Sequence, residues 1–462
     1  MQFQTASLIF ASRWQNDRSA LSDAFAVTAK SATLPHPQLG VVMFERMGVI
    51  SCLVACLQIS ATPTFAFMDD SPKKELEAPM PKGVKPIIPL NEDDPTFNMW
   101  KKKREDLSKG RDPGPINVQR YPGGMAWQGI PTFFKLPIAL TPEDLSAGDV
   151  DVAIISAHTD MGMGSRGASR GPNDLRANGD VYGTWGGFSM PHMHTMVNPF
   201  EELTVVDYGD APTDPLSTER SVHAIREIIR EVAGAKNRSG KNIIPFIVGG
   251  DHSLTYPNLA ALADVFGKGN VGVVHFDAHY DGTLYLGHLI NHGGWVKRLI
   301  NEGHVPGKNY IQVALRGYYP DLDTFKWMRE QQFRYHPMAE VEKRGWPAVM
   351  RDVVEEAKDG PEHLYISFDI DTIDPGYAPG TGTPEPGGLN PREVFPLVRQ
   401  LCAQKNVVGF DLVKYAPDRD PGYVTGLIAN RLLRECLTGI ALQKKGLAAD
   451  YLSEHTTDDS RK

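Results

Sequence analysis

The chain has 462 residues and a formal net charge of -8, with 48 basic and 56 acidic side chains. Hydrophobic residues make up 41% of it and charged residues 23%, which is typical of globular proteins and excludes a disordered or collagen-like chain. The acidic excess indicates no basic surface for nucleic acid, and four cysteines are too few for a disulfide framework. We therefore expect that disulfides do not hold the fold, and length alone suggests about three domains.

Residues 1–66 are predicted to be a leader rather than part of the fold. Residues 1–40 are rich in Ser and Ala, as in a transit peptide. A second pattern begins at Met43 and is typical of a secretory signal peptide that starts at Met43 or Met47. It consists of the basic Arg46, the apolar run 48–59 and small residues before a polar stretch. The run is shorter than the roughly 20 residues that span a bilayer, and a buried apolar segment is the alternative. The protein is secreted or periplasmic if this is a signal peptide, and organellar or cytoplasmic otherwise.

Residues 67–124 are predicted to be an extended arm, because repeated prolines break both helix and strand. Between residues 125 and 445, short apolar runs recur, as is expected of strands buried on both faces. The runs are 152–156, 243–248, 271–276, 311–315, 364–368 and 407–410. Helical patterns lie between them, such as 217–233 with Ser217 as its N-cap. The alternation predicts one three-layer α/β/α domain with a mainly parallel, doubly wound sheet, followed by a polar tail at 446–462 that frays from residue 453.

Three clusters of acidic residues and histidines follow predicted strands. They are Gly-Gly-Asp-His-Ser at 249–253, Phe-Asp-Ala-His-Tyr-Asp at 276–281 and Ser-Phe-Asp-Ile-Asp-Thr-Ile-Asp at 367–374. Residues two apart in a strand point the same way, and ligands bind at the carboxyl ends of parallel strands. Six side chains are therefore expected to converge at one edge of the sheet: His252, Asp277, His279, Asp281, Asp369 and Asp371.

Four buried carboxylates at one edge repel one another, and divalent cations relieve that repulsion. Six ligands are too many for one tetrahedral zinc ion and suit two metal ions that share carboxylates. The oxygen-rich set with two imidazoles favours two Mn²⁺ ions, with Ni²⁺, Co²⁺ or Zn²⁺ as alternatives. Separate helix caps and turns would explain any one cluster, but they explain three at successive strand ends poorly.

With these clusters in this order, the sequence resembles the ureohydrolase family of arginase, agmatinase and related guanidino-group hydrolases. Further matching stretches are 129–133, 166–172, 378–388 and 410–417, and the resemblance covers about residues 125–442. The stretch 378–388 is more similar to agmatinase than to arginase. The resemblance implies a binuclear metal-dependent amidinohydrolase that releases urea and an amine, with agmatine to putrescine, a step of polyamine biosynthesis, as the first expectation. It also implies a trimer or hexamer. Zinc deacetylases share the wider fold but need fewer ligands.

The resemblance also implies a role for individual residues. His252, Asp277, Asp281 and Asp369 would bind one or both ions, and His279 and Asp371 would complete the second ion's shell. Asp281 would orient the attacking hydroxide, and His292 would relay a proton to the leaving amine, unless it is a surface-loop histidine. We interpret the neighbouring His275 and His288 as structural.

Two positions depart from the family pattern. Lys414 follows Asp-Leu-Val, where the family usually has an acidic residue that grips the guanidinium, and a cation there opposes a cationic substrate. Glu385 could take over the acidic role, Lys414 could meet the acid group of a guanidino acid, or the activity could be weak or lost. His158 could face the substrate or be a satisfied loop histidine. The alternatives are therefore a guanidinobutyrate-type or formimino hydrolase and a catalytically weak pseudoenzyme.

Overall fold

The computed structural model describes residues 99–120, 127–162, 166–178, 190–283, 290–318 and 320–456. The predicted leader, the arm before residue 99, His288 and the last six residues of the tail lie outside these ranges. The targeting interpretations of residues 1–66 therefore stay predictions.

One sheet forms the centre of the described domain. Its strands are β1 Val152–Ala157, β2 Val205–Asp210, β3 Ile244–Gly249, β4 Val271–Phe276, β5 Tyr310–Val313, β6 Arg334–His336, β7 His363–Asp369 and β8 Asn406–Val413. They lie in the order β2-β1-β3-β8-β7-β4-β5-β6, and all seven neighbouring pairs are parallel. The prediction of a mainly parallel sheet is confirmed, and these strand pairs are wholly parallel.

Helices cover both faces of this sheet. They are α1 Met99–Ser108, α2 Pro142–Ala147, α3 Gly171–Asn178, α4 Pro199–Glu202, α5 Thr218–Gly234, α6 Thr255–Phe266, α7 Trp295–Asn301, α8 Leu322–Glu330, α9 Met338–Arg344, α10 Trp346–Asp359, α11 Pro391–Gln404 and α12 Val424–Lys444. Ser217 caps α5, as predicted, because its side chain accepts a hydrogen bond from the amide of Arg220. None of the described helices is long and apolar enough to cross a bilayer.

Alternate strand residues supply two separate cores. Ile154 and Phe246 pack with α10, α11 and α12 on one face, whereas Ile155 and Ile247 pack with α5, α6 and α7 on the other. This arrangement is the predicted three-layer α/β/α architecture, because each strand buries both of its faces.

The prediction that disulfides do not hold the fold is wrong for one pair. Cys402 and Cys436 form a disulfide between α11 and α12, with their Cα atoms 5.3 Å apart and both residues fully buried. A count of four cysteines argues against a framework of bridges. It does not exclude one bridge between two helices that pack side by side.

Both ends of the predicted domain are more ordered than expected. Helix α1 lies inside the predicted extended arm, because no proline occurs between Pro95 and Pro113, and its Lys101 pairs with Glu227 of α5 at 2.9 Å. In the tail, Ser453 is buried and its amide donates to the carbonyl of His194 at 2.9 Å. The prediction that the tail frays from residue 453 is therefore wrong for residues 453–456, and the described part of the tail ends there.

The strand order creates a crevice at the carboxyl edge of the four central strands. Strands β7 and β4 are neighbours, but the chain leaves β7 towards β8 on one side and leaves β4 towards β5 on the other. Such a switch in direction opens a crevice in which ligands bind. The three acidic clusters follow β3, β4 and β7, and Lys414 follows β8.

Candidate metal centre and active site

His252 is placed by a tight turn after β3. Position 250 must be glycine, because a Cβ there would overlap the carbonyl oxygen of Thr159. The Asp251 carboxylate then caps the short helical turn His252–Leu254 by accepting from the Ser253 amide at 2.9 Å. The turn buries His252 completely under the crevice.

The ring of His252 is oriented by a chain of hydrogen bonds. Its Nε2 lies 2.9 Å from the Ser367 hydroxyl, which donates its own proton to the Asp411 carboxylate at 2.8 Å. The hydroxyl must therefore accept from Nε2–H, which leaves a lone pair on Nδ1. This arrangement is typical of histidines that bind metal ions, whose second nitrogen is fixed by a neighbour.

Three carboxylate oxygens surround that Nδ1 atom. It lies 3.0 Å from Oδ2 of Asp277, 3.0 Å from Oδ2 of Asp281 and 3.2 Å from Oδ2 of Asp369. Burial lowers the pKa of His252, but the nearby carboxylates raise it well above its ordinary value, so the site favours a positive charge at Nδ1. Apart from these close ionic approaches, Nδ1 of His252 and Oδ2 of Asp369 are buried without a hydrogen-bond partner among the described residues. A buried lone pair among acceptor oxygens fits a cation, so the residues suit a metal ion.

A second group forms around His279. Its Nδ1 lies 3.3 Å from Oδ1 of Asp277 and 3.2 Å from Oδ2 of Asp371. Burial lowers the pKa of His279, but Asp371 and Asp277 outweigh it and raise that pKa to about 11. Burial and the neighbouring Asp371 raise the pKa of Asp369 to about 7. Asp277 belongs to both groups, as a carboxylate shared by two ions would. The structure thus brings all six predicted side chains together.

His275 also reaches this cluster, although it was interpreted as structural. Its Nδ1 lies 3.1 Å from the Gln312 amide nitrogen, which can only donate, so Nε2 carries the proton. Nε2 then donates to Oδ2 of Asp277 at 3.0 Å. The histidine therefore orients a carboxylate of the cluster and has no free lone pair for an ion.

Asp281 and His292 are brought together by the segment before α7. The indole Nε1 of Trp295 donates to Oδ2 of Asp281 at 3.1 Å, and the amide of Val296 donates to the Asp281 carbonyl at 3.0 Å. The amide of His292 donates to the carbonyl of Gly162, and its Nδ1 is buried without a hydrogen-bond partner among the residues that the structure describes. Burial and the positive charge of Lys414 lower the pKa of His292. Its imidazole is therefore neutral at neutral pH.

Lys414 turns its side chain into the carboxylate cluster. The residue is 1% exposed, and its Nζ lies 3.3 Å from Oδ2 of Asp371 and 3.5 Å from Oδ2 of Asp369. Nζ also donates to the hydroxyl of Thr383, which donates to Oδ2 of Asp371 at 2.9 Å. Burial lowers the pKa of Lys414, but Asp369 and Asp371 raise it above its ordinary value, so the ammonium is charged.

A comparison with known proteins identifies the family. Residues 150–439 match the model of the arginase family. The chain belongs to the arginase family. It is 34% identical over 341 residues to human mitochondrial guanidino acid hydrolase, covering 73% of this chain and 89% of that protein. It is 35% identical over 311 residues to mitochondrial agmatinase of Gallus gallus, covering 67% of this chain and 85% of that protein.

Solved structures of the arginase family share the fold. A hypothetical agmatinase from Burkholderia thailandensis superposes with a TM-score of 0.60 at 29% identity, covering 72% of this chain and 98% of that one. Proclavaminate amidino hydrolase from Streptomyces clavuligerus superposes with a TM-score of 0.59 at 30% identity, covering 69% and 100%. The predicted fold, family and enzyme class are thereby confirmed: the protein is an amidinohydrolase of the arginase family. The pseudoenzyme alternative receives no support.

The other two predicted substrate contacts, His158 and Glu385, make no hydrogen bond or ion pair with the metal cluster among the described residues. Nδ1 of His158 lies 2.6 Å from the Ser169 carbonyl, and its Nε2 lies 3.3 Å from Oδ1 of Asp210, which favours a satisfied loop histidine. Glu385 is half-buried, and its carbonyl accepts from Nη2 of Arg316 at 2.6 Å. The hydrogen bonds and ion pairs described for residues 99–456, outside the gaps given above, do not join its carboxylate to the cluster. That Glu385 takes over the role of the family's acidic residue and binds the guanidinium stays a prediction.

Four supporting residues were not predicted from the sequence: Trp295, Arg316, Ser367 and Thr383. Arg316 shows why, because its guanidinium binds the carbonyls of Asp371 and Glu385, which lie 55 and 69 residues away in the sequence. Ser367 and Thr383 lie inside the stretches 367–374 and 378–388, which already carry the family resemblance, so that resemblance was the one signal pointing to them.

Proposed function

We propose that this protein hydrolyses a linear guanidino compound to urea and an amine at a centre of two divalent metal ions. The observation that supports it most directly is the lone pair on Nδ1 of His252, which faces three carboxylate oxygens at 3.0–3.2 Å. One ion would be held by His252, Asp277, Asp281 and Asp369. The other would be held by Asp277, His279, Asp369 and Asp371.

Mn²⁺ is the proposed ion, because carboxylate oxygens outnumber imidazole nitrogens in both groups. When bound, the two ions lower the pKa of a water molecule and neutralise the negative charge that develops on the substrate. The protein side chains supply orientation and proton transfer. Their positions are set by the hydrogen bonds described above rather than by the ions.

Asp281 is proposed to take the proton of the attacking water. Its Oδ2 is fixed by the indole of Trp295, so the carboxylate cannot swing away from the crevice. His292 is proposed to pass a proton to the nitrogen of the leaving amine. Its imidazole is neutral at neutral pH and its buried Nδ1 has no hydrogen-bond partner within the described part of the chain, so Nδ1 can accept a proton and return it.

Agmatine is the first proposed substrate. The stretch 378–388 has the agmatinase-like form, and the relative from Gallus gallus is named agmatinase. The oligomer is proposed to be a trimer or hexamer, as the family resemblance implies. Light scattering of the purified protein would measure its mass directly.

A guanidino acid is the second candidate, and Lys414 favours it. Agmatine carries two positive charges, whereas guanidinobutyrate carries one of each sign. A buried ammonium at the reacting end opposes the additional cation more than it opposes a zwitterion. Relatives at 34% identity are named guanidino acid hydrolase in Homo sapiens and guanidinobutyrase in Pseudomonas aeruginosa.

Urea release tests the proposal. The full chain would be loaded with Mn²⁺, then with Ni²⁺, and assayed for urea with agmatine, guanidinobutyrate, guanidinopropionate and arginine, and for formamide with formiminoglutamate. We expect urea from a guanidino compound, and a loss of activity of about 100-fold or more in Asp281→Asn. Asp418→Asn is the control and should leave the activity unchanged, because the Asp418 side chain is 58% exposed in a surface ion pair. A protein that binds two ions and releases no urea from any of these compounds would refute the function.

A further inference from the structure

We infer that Lys414 makes the two metal positions unequal. Its ammonium competes with the second ion for Asp369 and Asp371, so that this chain binds one divalent ion tightly and the other weakly. The inference rests on the two-metal centre proposed above. It concerns metal occupancy and makes no assumption about which compound is hydrolysed.

The competition between the ammonium and the second ion is strongest at one oxygen atom of Asp371. Oδ2 of Asp371 lies 3.2 Å from Nδ1 of His279, with which it would hold the second ion, and 3.3 Å from Nζ of Lys414. The same oxygen accepts the hydroxyl proton of Thr383 at 2.9 Å. An ion bound there must share that oxygen with a fixed positive charge or displace it.

The ammonium has little room to move away. Lys414 is 1% exposed, and its amide donates to the carbonyl of Gly250 at 2.8 Å, which fixes the backbone directly beside the His252 turn. Its φ of 67° lies in the left-handed region, so the backbone leaves the strand conformation directly after β8. Thr383 accepts a hydrogen bond from Nζ. Withdrawal of Nζ would leave a buried ammonium without these partners, which is costly.

The first metal position is affected far less. Nδ1 of His252 lies 3.0 Å from Oδ2 of Asp277 and 3.0 Å from Oδ2 of Asp281, and these three residues make no ion pair with Lys414 among the described residues. Asp369 is the one ligand of that group that also faces Nζ, at 3.5 Å. The ammonium therefore acts mainly on the His279 side of the cluster.

A count of formal charges also indicates that the second metal ion binds more weakly than the first. With His252 and His279 neutral, as metal binding requires, the four cluster carboxylates and Lys414 together carry a formal charge of minus three, all of it buried. One divalent ion brings the cluster to minus one. A second brings it to plus one, whereas without the ammonium two ions would balance the carboxylates. The second ion is thus the one whose binding the ammonium opposes, and we expect its dissociation constant to exceed the first by roughly 100-fold or more.

Metal titration tests the inference without measuring activity. The full chain would be stripped with a chelator and titrated with Mn²⁺, with bound metal counted by equilibrium dialysis and elemental analysis. Paramagnetic resonance would detect the coupled signal of a neighbouring Mn²⁺ pair. We expect one tight ion and a second that is lost on dialysis. In Lys414→Met, which keeps the length of the side chain without its charge, the second ion should bind about 100-fold more tightly.

Two further variants make the outcome specific. Lys414→Arg keeps the positive charge and should keep the second ion weak. Asp371→Asn should abolish second-ion binding in both the parent and the Lys414→Met background. Two ions of equal affinity in the unaltered chain would overturn the inference, even if Lys414→Met fails to fold. Equal second-ion affinity in folded Lys414→Met and the parent would also overturn it. Binding of no ion would overturn the proposed metal centre itself, and this inference with it.

Discussion

The hydrogen bond from Trp295 to Asp281 offers the sharpest test of the site. Trp295 is 1% exposed, and its ring lies 5.1 Å from that of His252 and 5.0 Å from that of His275. The substitution Trp295→Phe keeps an aromatic ring in this place and removes the indole N–H. Oδ2 of Asp281 then loses its donor at 3.1 Å but keeps its approach to His252.

The size of the effect follows from the charge of the acceptor. A buried hydrogen bond to a charged group contributes about 1.5–3 kcal/mol, and loss of a bond that orients a metal-binding carboxylate typically lowers metal affinity or activity by about 10–100-fold. Trp295→Phe should therefore lower both Mn²⁺ affinity and kcat by about 10–100-fold. KM should change little, because the indole lies beneath the carboxylate rather than in the crevice.

Metal titration and urea release would be measured on the same preparations of the variant. Trp346→Phe is the matched control, because Trp346 is also buried and its indole donates to a carbonyl, that of Glu393, at 3.0 Å, outside the cluster. The control should lose about 1 kcal/mol of stability with unchanged metal affinity. Unchanged metal affinity and kcat in folded Trp295→Phe would refute the orienting role of the indole.

Three further predictions concern stability and loop position. Burial raises the pKa of Asp144, but Arg111 and backbone amides outweigh it and hold that pKa at about 2. The interactions of the carboxylate should therefore add about 2 kcal/mol of stability, which is present above pH 4 and lost as the pH falls towards 2. In urea unfolding, the difference in stability between the parent and Asp144→Asn should shrink over this pH range. Replacing both Cys402 and Cys436 by Ala should lower stability by about 3–4 kcal/mol, given the separation of 34 residues, and a reductant should destabilise only the parent. Arg316→Met leaves several carbonyls unpaired and should weaken second-ion binding in a Mn²⁺ titration, with unchanged binding counting against its role.

The sequence predicts the central strands and fails at the edges of the sheet for one physical reason. The six predicted strands are buried on both faces and therefore read as continuous apolar runs. The two that were not predicted, β2 and β6, are the two edge strands. Strand β2 ends in exposed and half-buried residues, and β6 has only three residues, Arg-Tyr-His, so neither carries the apolar signal.

The metal cluster was predictable because its residues are local to strand ends. A two-residue spacing fixes the direction of Asp277 and His279 once the strand is placed. The position of the Lys414 ammonium was not predictable. The sequence shows a cation where the family usually has an acid, but the direction of its side chain depends on a left-handed φ and on Thr383, which lies 31 residues away.

Lys414 also connects the two open questions about this protein, its metal occupancy and its substrate. The interpretation in which Lys414 binds the acid group of a guanidino acid places the ammonium at the far end of the substrate. The structure places it against Asp369 and Asp371, beside the position of the reacting group. Its influence on substrate choice is then through net charge rather than through a direct contact. A substitution that removes the charge should therefore strengthen the second ion and improve agmatine relative to guanidinobutyrate in the same variant, since one buried charge opposes both cations.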